Sequence, residues 1–89
     1  MRYARSANVV VRALRPGEGA VALHLETGAY HGLNDVGSMV WELLATPSTT
    51  SEIVQQVRER IPDAPPQIED DVTEFLGQLA SRGLVQDYS

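Results

Sequence analysis

A chain of 89 residues, 43% hydrophobic and 21% charged, is sized for one modest core and is too apolar for wholesale disorder. It has no cysteine, which excludes disulfides and thiolate chemistry, and its net charge of −5 argues against a phosphate backbone as partner. The opening "MRYARSANVVVRAL" lacks a signal-peptide core and no run approaches the roughly 20 apolar residues of a membrane span, so the expectation is one cytoplasmic domain over residues 1–89.

In chain order, "NVVVRAL" (8–14) is short and β-branched, and "RPGEG" (15–19) breaks it with Pro16, Gly17 and Gly19. "AVALHLE" (20–26) alternates, with Val21, Leu23 and Leu25 on one side and Ala22 and His24 on the other, the pattern of a half-buried strand. Gly28 in "TG" can take positive φ at a tight turn, after which "AYHGL" (29–33) reads as a third strand. A loop of two or of three residues would exchange the faces of Tyr30 and His31, so the register stays open.

From Asn34 the period becomes helical. Asn34 is a candidate N-cap, Asp35 suits the positive end of the helix dipole, and Val36, Met39, Val40, Leu43 and Leu44 form a stripe that Trp41 widens. Pro47 closes this helix, and "TTSE" (49–52) has the form of a capping box opening a second helix that buries Ile53, Val54, Val57 and Ile61. "DAPP" (63–66) leads into a third helix with Ile68, Val72, Phe75, Leu76 and Leu79 on one stripe and Gly83 as its C-cap. "LVQDY" (84–88) reads as a short closing strand. Strands followed by helices predict an α+β domain, a three-stranded antiparallel sheet with three helices packed on one face.

The charges are unevenly spread. Every base is an arginine, and Arg2, Arg5, Arg12 and Arg15 precede the first acid, whereas Asp63, Glu69, Asp70, Asp71 and Glu74 crowd residues 62–75 without a base. Such a run is ordinarily a solvated helix face, and it would also steer a basic peptide. Catalytic material is sparse. His24 and His31 lack a third ligand for a metal, Asp70 and Asp71 point to different sides of a helix, and Gly28, Gly32 and Gly37 have the wrong spacing for a phosphate loop. The expectation is a protein that is not an enzyme, with no catalytic residue, metal or cofactor.

The segment "LHLETGAYHGLNDVGSMVWELL" resembles the core motif of the PqqD-like family through Leu25, Thr27, Gly28, Tyr30, Leu33, Asn34, Gly37, Val40, Trp41 and Leu44. "TTSEIVQQV" (49–57) and "DVTEFLGQLASRGLV" (71–85) are similar to the family's second helix and its third helix with closing turn. The resemblance implies a winged-helix-like RiPP recognition element, three strands and three helices, that binds the leader of a ribosomally made precursor peptide. It further implies that the leader pairs as an extra strand and is presented to a separate leader peptidase or modifying enzyme. The lasso-peptide recognition proteins are the subfamily it most resembles.

Carried onto this chain, the backbone of Ala29, Tyr30, His31, Gly32 and Leu33 would pair with the leader. Ile68, Val72, Phe75 and Leu79 would line a groove, and Asp71 and Glu74 would meet basic leader residues. The residues themselves support β-addition in part, since an edge strand offers unpaired backbone groups and Ala29 and Gly32 let a partner approach. The same helical stripe also makes an ordinary core, with Leu76 the purest core position, and Trp41 and Leu33 read as structural. Two other readings compete: a winged-helix DNA-binding regulator, which the acidic third helix disfavours, and a docking subunit that activates an enzyme without holding peptide.

Overall fold

Two short antiparallel sheets and three helices are built from residues 2–88, the part of the chain that the structure, a computed structural model, describes. The strands are β1 (Arg2–Arg5), β2 (Val9–Ala13), β3 (Ala20–His24), β4 (Tyr30–Leu33), β5 (Ser48–Thr49) and β6 (Val85–Tyr88); the helices are α1 (Asp35–Leu43), α2 (Thr50–Arg60) and α3 (Ile68–Ser81). β2, β3 and β4 form a meander in that order, and β1 lies between β5 and β6 in the second sheet. The fold is α+β, as the order of elements predicts, with a second sheet that the sequence pattern announces only through its last strand. "RYAR" buries only Tyr3, and β1 is held by pairing with residues 85–88 at the far end of the chain, a contact that local periodicity does not register.

The meander turns the unexpected face inward. Ala20 and Ala22 are fully buried, while Leu25 is 58% exposed and Val21 and Leu23 are half-covered. Antiparallel pairing explains the choice: Leu33 sits opposite Ala20, so the two share a face, and Leu33 must go inward because the chain enters α1 immediately after it. Parity then carries Ala22 with them. On the outer face, Val10, Leu23 and Tyr30 stand side by side across the three strands.

The helices follow their sequence signals closely. Leu44, Ile53, Leu76, Leu79, Leu84, Val40, Val57 and Val72 make the fully buried centre of the core. Burying each such aliphatic side chain contributes about 1.5–3 kcal/mol before conformational entropy is counted. α2 opens on a complete capping box: the Thr49 amide donates to Glu52 Oε1 at 2.9 Å and the Glu52 amide donates to Thr49 Oγ1 at 3.2 Å. α3 ends in a Schellman turn, in which Gly83 at φ 72° donates to Ala80 O and the Leu84 amide to Leu79 O. The buried Leu84 side chain seals that turn.

α1 has no basic residue in its last turn, and Arg5 reaches across from β1 to supply one. Its Nε and Nη2 donate to Trp41 O at 3.0 and 2.8 Å, and the guanidinium lies 5.0 Å from the Trp41 ring centroid. One side chain thus caps the negative end of α1 and fixes the small sheet against it.

Two outcomes follow from these contacts. Arg5→Ala should lower stability by about 1–2 kcal/mol in urea unfolding, with Arg5→Lys recovering only part because it keeps the charge and loses the planar fork. Hydrogen bonds from the Thr49 amide, and then from its hydroxyl, hold the Glu52 carboxyl below its ordinary value of 4.5. A carboxyl lowered on folding stabilises above its unfolded pKa and loses that contribution as pH falls through the folded value. Glu52→Gln should therefore flatten the acid limb of the stability curve below pH 4.5, and unchanged acid sensitivity would show that the box carries none of it.

Candidate functional site

The loop between β3 and β4 sets what the sheet edge presents. Four residues, 25–28, lie inside its closing His24–Ala29 hydrogen bond, more than the two or three the sequence suggests: His24 N–H donates to Ala29 O at 3.0 Å and Gly28 N–H to His24 O at 2.8 Å. Gly28 holds φ 73°, the left-handed value that closes this turn, and Thr27 Oγ1 accepts from the Ala29 amide at 3.2 Å. The resulting register pairs Leu23 with Tyr30, Ala22 with His31, Val21 with Gly32 and Ala20 with Leu33.

Backbone direction follows from the ladder. Leu25 N–H donates to Asn8 O and Leu14 N–H to Gly19 O on the β2 side, whereas His24 N–H donates to Ala29 O on the β4 side. In an antiparallel sheet these roles alternate, so residues 20, 22 and 24 address β4 and residues 31 and 33 answer them. The amides and carbonyls of Tyr30 and Gly32 then face away from β3. β4 is the last strand of its sheet, and these groups line its open edge. Gly32 has nothing within 4 Å of the position a Cβ would take, so the sheet face beside this edge is open there.

A cleft begins where β4 ends. It is lined by Asn34, Val36 and Gly37 from the start of α1 and by Ile68, Asp71 and Phe75 from α3. The α3 residues are spaced i, i+3 and i+7 and so share one helix face. Asn34 shapes the other wall, because its Oδ1 accepts the Gly37 amide at 2.7 Å and starts α1 directly after Leu33. Val36, Ile68 and Phe75 make the walls apolar, and Asp71 is the one charged side chain lining the cleft.

The expected site residues divide accordingly. Tyr30 is 72% exposed and Gly32 exposed on the edge, Ala29 and His31 are half-buried, and Leu33 is turned into the core. Ile68, Asp71 and Phe75 reach the cleft. Val72 and Leu79 have no exposed surface at all and belong to the core, so a charge placed at Val72 would probe folding. Glu74 is exposed outside the cleft, beside Gln78, whose Nε2 donates to it at 3.5 Å. Asn34, Val36 and Gly37 were missed as site residues; Asn34 and Gly37 stand in the motif, but their role emerges only when α1 packs on α3.

Other surfaces carry less. A wider depression lies on α2, around Thr50, Ser51, Val54, Gln55, Arg58, Glu59 and Glu69, away from the strand edge, with Arg58 and Glu69 3.8 Å apart across it. Among the described residues no three His, Cys, Asp or Glu side chains converge as a metal site, and no helix is long and apolar enough to cross a membrane. His24 Nδ1 accepts the Glu26 amide at 3.3 Å, and by register His31 sits opposite Ala22. Glu69, Asp70 and Asp71 occupy the first turn of α3, where acids suit the dipole and a phosphate backbone would be repelled.

The fold has counterparts in solved structures. The fold is similar to that of TbiB1, solved in complex with the TbiA(beta) leader peptide: 35% identity, TM-score 0.80, covering 97% of this chain and 98% of that one. A lasso peptide synthetase B1 complexed with its leader peptide shares the fold at 17% identity and TM-score 0.75, covering 96% and 98%. So does the PqqD truncation of Methylobacterium extorquens PqqCD, described as a functional and stand-alone RiPP recognition element, at 23% identity and TM-score 0.76 over 97% and 89%. No curated protein matches the chain. Residues 19–85, which hold β3, β4, the cleft and all three helices, match coenzyme PQQ synthesis protein D, and the chain belongs to the PqqD family.

Proposed function

We propose that this protein is a non-catalytic, cytoplasmic recognition protein for the leader segment of a ribosomally synthesised precursor peptide. The leader adds as a strand to the open edge of β4, and the protein presents it to a separate leader peptidase or other maturation enzyme, in lasso-peptide biosynthesis by the resemblance of its motifs to that subfamily. The observation that carries this reading is the juxtaposition of edge and cleft. Outward backbone groups of Tyr30 and Gly32 supply sequence-independent hydrogen bonds, and the cleft beyond Leu33 supplies a place to read side chains.

Strand addition sorts the leader's side chains by parity. Alternate residues face inward toward the cleft side, and the rest join the outer face beside Tyr30, Leu23 and Val10. The acids of α3 favour a leader with basic residues, and Asp71 is placed to meet one at the cleft. No cofactor or metal enters this mechanism.

Titration of the labelled protein with the TbiA(beta) leader, and with the leader of any precursor peptide found encoded near its gene, should show saturable binding. The expected dissociation constant is micromolar or tighter, about −8 kcal/mol. Tyr30 and Gly32 amides should exchange rapidly in the free protein and become protected on saturation, while those of His31 and Leu33 are protected throughout. No binding of either leader by calorimetry or fluorescence polarisation would overturn the proposal. Asp71→Arg should weaken binding several-fold, with an effect that shrinks as salt is raised.

A further inference from the structure

Gly37 is a helical glycine whose backbone does not require glycine. It is absent from the positive-φ glycines, which are Gly17, Gly19, Gly28 and Gly83, and alanine is the better helix former at an ordinary helical position. The need for glycine lies in a neighbour. A Cβ built on Gly37 would stand 2.5 Å from Phe75 Cζ, 2.9 Å from Cε1 and 3.1 Å from Cε2, all atoms at the far end of the ring. Gly77, the glycine inside α3, meets nothing in the same construction. The Phe75 ring therefore rests its tip on the bare backbone of α1.

A ring pushed off that seat has one direction open to it. Phe75 packs against a core whose Val40, Val72, Leu76 and Leu79 have no exposed surface, and a core packed to that density does not admit a displaced ring. Phe75 itself is half-buried and lines the cleft with Val36, Ile68 and Asp71. Displacement moves it into the cleft.

We infer that Gly37 is a specificity-determining residue: by seating the Phe75 ring against α1 it keeps the cleft open for one apolar leader side chain, bordered by the Asp71 carboxylate. This rests on the leader-binding reading and sharpens it. The ligand chemistry is an extended peptide that places an apolar residue at the cleft with a basic residue close by. Gly37 touches no ligand in this scheme and acts through Phe75.

The test uses whichever leader saturates the wild-type protein in the titration above, with thermal unfolding read alongside affinity. Gly37→Ala should stay folded and bind at least tenfold more weakly. Phe75→Leu lacks the Cζ and Cε atoms that meet the added methyl, so the double variant Gly37→Ala/Phe75→Leu should recover most of that loss. Replacing the leader's cleft-facing apolar residue by alanine should weaken binding to wild type and cost little more in Gly37→Ala, since the two changes remove one interaction.

A wild type that binds leader beside a Gly37→Ala variant that binds within twofold overturns the inference and leaves the leader reading standing. A wild type that binds no leader overturns both. If Gly37→Ala does not fold, the double variant decides: folded and binding supports the seat, folded and not binding refutes it.

Discussion

The Asn34 carboxamide, accepting the Gly37 amide at 2.7 Å, ends a strand and starts a helix within two residues. That junction constrains most of what lies around it. Leu33 is driven into the core as the last residue of β4, and pairing parity then turns Ala20 and Ala22 inward with it. The same parity turns the backbone of Tyr30 and Gly32 outward. The helix begun at Asn34 presents Val36 and Gly37 to α3, so edge and cleft are two results of one local geometry. A different angle between strand and helix would separate them.

Much of this could be read before any coordinates. The Asn34 cap, the Thr49–Glu52 box and the Gly83 turn are local patterns in which one residue satisfies a neighbour's backbone, and each forms as expected. The strand pattern was harder. In "AVALHLE" the larger side chains suggest the buried face, yet the alanines take it, because partner strands and not hydrophobicity alone select the face. The loop of four residues around Gly28 was likewise invisible in a "TG" that suits several turn lengths.

The candidate site divides along the same line. Its strand edge was visible as a short segment beside a turn, and Ile68, Asp71 and Phe75 were visible as a helical face. Helical periodicity does not distinguish core from rim, so Val72 and Leu79 carried the same signal as Phe75 while lying wholly inside. Gly37 and Val36 could not be assigned from their own helix, since their importance comes from which side chain of α3 rests against them. The acids at the head of α3 serve two ends at once: they favour the helix dipole and they set the sign of the charge beside the cleft.

The pairing of β1 with β6 has a consequence for how the chain is made. β1 contains residues 2–5 and its longer partner residues 85–88, so during synthesis β1 has only the two residues of β5 to pair with until β6 follows. The meander and α1 need only contacts close in sequence, and such contacts form early and fast. The open edge of β4 therefore belongs to the part of the molecule that can assemble during synthesis. Arg5, waiting on β1, reaches the end of α1 as part of the step that closes the fold.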